Sequence, residues 1–109
     1  MAEKISLDYL KKVELRIGKI ISVENHPNAD KLYVLKVDLG DEVRTIVAGL
    51  KQYYKPEELL NKLVVVVANL EPKKLRGIES HGMLLAADDG EKVALLQPDK
   101  NVKIGAKIY

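Results

Sequence analysis

The sequence predicts an all-β protein, a small five-stranded barrel, and three observations lead there. Apolar residues alternate with polar ones through successive short runs, which is the period of a half-buried strand. Clusters of Asn, Asp, Gly and Pro punctuate those runs, as turn chemistry requires. Helical spacing is confined to two brief segments. At 109 residues the chain is one domain's worth of polymer. Its 47% hydrophobic and 31% charged residues are the composition of a folded globule.

Taken in order, Ser6 is a natural N-cap for a short leading helix within residues 1–12. From Val13 the odd positions Leu15, Ile17, Ile21 and Val23 form one apolar face, interrupted by Lys19. Gly18 marks a bulge or sharp bend in that long first strand. Residues 25–30 form a loop, and a second strand follows with Tyr33, Leu35, Val37 and Leu39 on one face. Gly40 and Asp41 turn it into a third strand over residues 42–48. Pro56 followed by Glu57 and Glu58 starts a helix of about two turns. Residues 63–70 are rich in Val, read as a strand buried on both faces, and stop before Pro72. Residues 71–81 read as a polar loop, and 83–87 and 92–96 as short strands joined by a turn at 88–91. Weak alternation from Val102 to Tyr109 predicts a final edge strand.

The expected organisation is a single domain of residues 1–109, with a leading helix (1–12), a barrel (13–96) and a C-terminal extension (97–109) that offers a dimer contact. A closed five-strand meander with a small helix between strands three and four is the layout of an OB-fold barrel.

Composition narrows the chemistry. The absence of Cys excludes disulfides, thiolate nucleophiles and Cys-ligated metal sites. The longest apolar run, 63–68, is far shorter than the roughly 20 residues a bilayer span needs. The first residues lack the apolar core of a secretory signal, so a cytoplasmic location away from membranes is expected. A net charge of +2 means that any binding of polyanions must rest on a local patch. His26 and His81 are the two neutral-pH acid–base candidates, and both read as exposed loop residues. Ser80 has no Gly-x-Ser-x-Gly setting. No phosphate-binding loop or His-Glu-x-x-His motif occurs. No catalytic residue, metal or cofactor is expected.

The segment Lys73-Lys74-Leu75-Arg76-Gly77-Ile78-Glu79-Ser80-His81-Gly82-Met83 stands out. It sets three cations within four residues, then glycines that let backbone approach a ligand closely. In an OB barrel it joins strands four and five, one of the two loops flanking the oligonucleotide-binding face. The other such loop is residues 25–31, and Lys36 and Arg44 are expected on the polar faces of the strands between.

These residues occur with further ordered motifs: Leu15-Arg16-Ile17-Gly18-Lys19-Ile20, His26-Pro27-Asn28-Ala29-Asp30-Lys31-Leu32-Tyr33, Arg44-Thr45-Ile46-Val47-Ala48-Gly49-Leu50 and Asn69-Leu70-Glu71-Pro72. Together they closely resemble the tRNA-binding domain of methionyl-tRNA synthetases, which also occurs as a separate beta subunit and as free-standing structure-specific tRNA-binding proteins. The resemblance runs from about Val13 to the C-terminus. It implies a non-catalytic module that grips tRNA by shape and raises a synthetase's affinity for it. The implied partners are tRNA, the methionyl-tRNA synthetase catalytic chain and a second copy of this chain. The implied RNA-binding positions are Lys31, Arg44, Lys73, Lys74, Arg76, Ser80 and Met83, with His26 and Asn28 in the opposing loop. Cations would meet phosphates, Ser80 a sugar or phosphate, and Met83 a base or ribose. The family's cytokine members carry a further C-terminal segment that has no counterpart here. Synthetase signatures of the HIGH and KMSKS types are also absent, so amino-acid activation is not expected. The alternative is a CsaA-like dimeric chaperone, although those relatives generally lack the run from His26 to Tyr33.

Overall fold

The computed structural model describes residues 2–109; Met1, the start of the expected leading helix, lies outside them. Ser6 adopts an extended conformation and its hydroxyl accepts the Tyr9 N–H at 3.1 Å, which starts α1 (Leu7–Leu10). Three antiparallel strands follow: β1 (Leu15–Asn25), β2 (Tyr33–Asp38) and β3 (Val43–Ala48). Next comes α2 (Pro56–Leu59), a single turn rather than the expected two. The Glu58 carboxylate accepts the Lys55 N–H at 2.7 Å and caps it. The remaining strands are β4 (Leu63–Val67), β5 (Lys73–Leu75), β6 (Ile78–Ser80), β7 (Met83–Leu84), β8 (Ala86–Asp88), β9 (Val93–Leu95) and β10 (Lys107–Ile108).

The main sheet runs β3-β2-β1-β4-β7, with β10 also paired to β1. Only β1–β2–β3 is a meander; β4 returns to pair with β1, from Leu15↔Val67 to Lys19↔Leu63. That pairing corrects the simple meander order. The barrel then nearly closes, because the Val47 N–H donates to Ser80 Oγ at 3.0 Å and the His81 N–H to the Thr45 carbonyl at 2.8 Å.

β1 serves two partners by bending, and the register shift lies between Ile20 and Ser22, not at Gly18. The extra residue reverses which parity faces inward. Before the bulge Gly18 and Ile20 face the barrel core; after it Val23 does. The odd-numbered face of the first half points the other way. Ile17 is buried there under the extension, with its carbonyl accepting the Gly105 N–H at 2.7 Å and its N–H donating to Ala106 at 2.9 Å. Gly18 is needed for close approach: a Cβ there would sit 2.6 Å from Val37 Cγ1 and 3.0 Å from Val66 Cγ2.

The core joins Ile20, Leu35, Val37, Leu39, Ile46, Val64 and Val66 of the sheet to Leu59 of α2 and to Leu84 and Leu95. Its polar edges are tied by tyrosines. Tyr33 donates its hydroxyl to the Tyr54 carbonyl at 2.7 Å, and the Tyr54 hydroxyl accepts the Leu95 N–H at 3.0 Å. β8 and β9 form the expected hairpin. At its turn the Lys92 and Glu91 N–H groups donate to the Asp89 carboxylate, holding its pKa below the usual carboxylate range. No helix among the described residues is long and apolar enough to cross a membrane.

Candidate nucleic-acid interface

The expected polar loop at 71–81 is largely a hairpin, β5–β6, with register Lys73↔Ser80, Lys74↔Glu79 and Leu75↔Ile78. Arg76 and Gly77 form its tip, both with positive φ (51° and 92°). That is the turn whose twist suits a two-residue hairpin. It holds Arg76 in a conformation that L-residues other than Asn and Asp seldom adopt. Strand alternation then splits the three cations. Lys73 and Leu75 face a groove, Lys74 stands on the opposite face across from Glu79, and Arg76 projects at the tip.

The groove has a volume of about 720 Å³ and a mainly apolar lining. Val47, Ala48 and Leu50 form one wall, Leu70 and Leu75 the other, and Met83 stands at the rim. Met83 is 48% exposed and Leu70 46%, an unusual state for neighbouring apolar side chains on a small barrel. The loop 25–32 borders the same groove, since Leu32 would lie 3.7 Å from a Cβ on Gly49, a lining residue. Lys31 and Asn28 are exposed in that loop. The structure thus brings Lys73, Ser80 and Met83 into the lining of one apolar groove; Arg76 stands at the tip of the hairpin that contributes Lys73 and Leu75 to it, and Lys31 lies in the loop whose Leu32 approaches Gly49. None of the lysines is paired with a carboxylate among the described residues.

Three expected site residues have other commitments. Ser80 is 5% exposed; its hydroxyl accepts the Val47 N–H and donates to the Gly82 carbonyl at 3.1 Å. It lines the groove floor but serves as the seam of the barrel rather than as a surface hydroxyl. Arg44 and Lys36 do not share a face. Lys36 is opposite Thr45 on the outer side and donates to its Oγ1, whereas Arg44 is opposite the buried Val37. The Arg44 guanidinium pairs with Glu42 and donates to the Ala68 carbonyl, bridging β3 to the end of β4. Its charge is consumed in holding the barrel end shut. His26, expected in solvent, is 5% exposed. Its ring is engaged on both nitrogens, with Nε2 3.0 Å from the Leu75 carbonyl and Nδ1 3.0 Å from the Asn28 nitrogen.

Sequence reasoning missed Asn69, Leu70 and the wall from Val47 to Leu50 as groove residues. Periodicity gave the strands but not which edge stays open. It also missed Asn69 as a tie, where Oδ1 accepts the Glu14 N–H at 2.8 Å and Nδ2 donates to the Lys12 carbonyl at 2.6 Å. Among the described residues no group of three His, Asp or Glu gathers as for a metal ion.

A nearly closed five-stranded barrel with an apolar groove beside a cation-bearing hairpin has the layout of an oligonucleotide-binding barrel. The chain belongs to the family described as "Putative tRNA binding domain", whose model matches residues 15–107. It is 75% identical over 104 residues to the methionine–tRNA ligase of Pyrococcus furiosus, covering 95% of this chain and 14% of that protein. The chain therefore spans about one seventh of such relatives' length. Among solved structures, a MetRS-related protein from Pyrococcus horikoshii superimposes with TM-score 0.92 and 38% identity, covering 99% of this chain and 100% of that one. The CsaA chaperone protein of Picrophilus torridus follows with TM-score 0.90 and 33% identity, covering 97% of this chain and 100% of that one.

Proposed function

We propose that this chain binds tRNA by shape and without reading sequence, and that it acts as a non-catalytic, cytoplasmic module raising the tRNA affinity of a methionyl-tRNA synthetase. The observation that carries the reading is the apolar groove lined by Lys73 and Met83, beside the hairpin that also bears Lys74 and Arg76, with none of these cations paired to a carboxylate among the described residues. Cations there can meet successive phosphates while Met83 and Leu70 pack against an exposed base or ribose. Family membership and the similarity to methionine–tRNA ligases support the same reading.

The test is fluorescence anisotropy with several unrelated tRNAs and an unstructured RNA of equal length, at two salt concentrations. Lys31, Lys73, Lys74 and Arg76 make about four phosphate contacts, so log K should fall against log salt with a slope of roughly −2.8 to −3.6. All tRNAs should bind alike and the unstructured RNA weakly. Equal binding of the unstructured RNA, or no binding at all, would refute the shape-reading module.

The alternative of a chaperone-like module is favoured by one feature, the apolar walls of the groove, together with the resemblance to CsaA. An apolar peptide in that groove would bind almost independently of salt.

The active particle in this proposal is a homodimer. Leu7, Leu10 and Val13 are exposed and line a second apolar groove, of about 730 Å³, with Leu15, Ile108 and Tyr109. α1 buries none of its residues within the chain. A second copy laid across this surface by a two-fold axis would cover it. Light scattering at micromolar concentration should give twice the chain mass, and Leu10→Glu should give a monomer. A monomeric parent protein would contradict the assignment.

A further inference from the structure

The β5–β6 hairpin that carries Lys73, Lys74 and Arg76 belongs to no larger sheet. An isolated two-stranded hairpin is marginally stable in water, so its orientation must be set from outside. At its base, Ser80 Oγ is tied to the Val47 N–H. At its tip the tie is His26, whose ring reaches the carbonyl of Leu75, the residue just before the Arg76–Gly77 turn.

The tautomer follows from the partners. A backbone amide only donates, so the Asn28 N–H at 3.0 Å makes His26 Nδ1 an acceptor without a proton. The neutral ring therefore carries its hydrogen on Nε2 and donates it to the Leu75 carbonyl at 3.0 Å. The same residue closes its own loop, its N–H donating to the Leu32 carbonyl at 3.1 Å.

We propose that His26 is the positioning residue of the RNA surface: it clamps the loop bearing Asn28 and Lys31 to the tip of the hairpin and so presets the spacing of the cations on both sides of the groove. This inference rests on the tRNA-binding reading for its purpose but not for its geometry. A clamp lowers the ordering cost that binding would otherwise bear, and holding one flexible element is worth about tenfold in affinity.

Two conservative variants separate the two ring bonds. Gln at this position can place an N–H where Nε2 stands, whereas Asn can place only an oxygen where Nδ1 stands. His26→Ala and His26→Asn should weaken tRNA binding about tenfold, and His26→Gln should restore most of it. In a Lys73→Ala/Lys74→Ala/Arg76→Ala background at low salt, His26→Ala should cost almost nothing more, because the hairpin cations whose spacing from Lys31 it sets are gone. Parent-like binding by His26→Ala, or an equal loss in both backgrounds, would overturn the clamp.

A ligand-free measurement separates this inference from the functional reading. Trypsin should cleave after Arg76 several-fold faster in His26→Ala than in the parent or in His26→Gln, because the freed tip opens more often. Unchanged cleavage would overturn the clamp even if tRNA binds. Faster cleavage with no tRNA binding by the parent would leave the clamp standing and remove its assigned purpose.

Discussion

Simultaneous replacement of Lys73, Lys74 and Arg76 by Ala is expected to weaken tRNA binding by at least ~100-fold, since each charge-assisted contact contributes upwards of ~1 kcal/mol. The slope of log K against log salt should flatten by about two to three units. The hairpin backbone needs none of these side chains, so the melting temperature should hold. The single variants should not be equal. Lys73 faces the groove, whereas Lys74 stands on the opposite face of the hairpin. Lys73→Ala should therefore cost more than Lys74→Ala. Arg44→Ala should do the reverse of both: it should lower Tm by a few degrees and leave the salt slope alone. Its guanidinium is bound to Glu42 and Ala68. A folded triple variant that binds tRNA like the parent would take the hairpin out of the interface.

The largest effect on stability is expected at Gly18→Ala. The added methyl would lie 2.6 Å from Val37, 3.0 Å from Val66 and 3.1 Å from Leu39. Two of those neighbours are β-branched and stiff at χ1, and all three are fully buried. Either the β1–β4 pairing or the β1–β2 pairing must open to admit the methyl. Overpacking of this kind costs about 1–3 kcal/mol, or a fall in Tm on the order of 5–15 °C. A melting temperature within about 2 °C of the parent would show that the sheet yields more easily than its packing implies.

Gly18 also shows where the sequence was readable and where it was not. Alternation identified β1, but parity along one strand cannot reveal a bulge, and the bulge at Ile20–Ser22 exchanged the two faces. Of the apolar odd residues, Ile17 is buried, but under the extension and not in the barrel core, while Val13 and Ile21 are exposed. The Pro56 helix start, the Asp88–Glu91 turn and the Ser6 cap were legible because each rests on one or two local residues. The pairing of β4 with β1 was not, because nothing local distinguishes it from pairing with β3. At the candidate site the cations of 73–76 were conspicuous, and the groove they border was not. Its lining comes from four separate stretches of chain. His26 and Arg44 misled for one reason: a polar side chain in a loop or on a strand is indistinguishable, by type alone, from one whose hydrogen bonds have drawn it inside.

Ile108 lies directly opposite Leu15, so the first and last strands of the fold leave it at a common corner. No residue lining that corner also lines the groove. Topologically the fold is close to a ring. A short linker could join β10 to β1, and the ring could be reopened at the exposed Asp89–Gly90 turn, without any strand passing over the groove. By the same geometry, another polypeptide could be fused on either side of this unit and would depart in one direction. The groove would keep the same access to a large ligand whichever side carried the fusion.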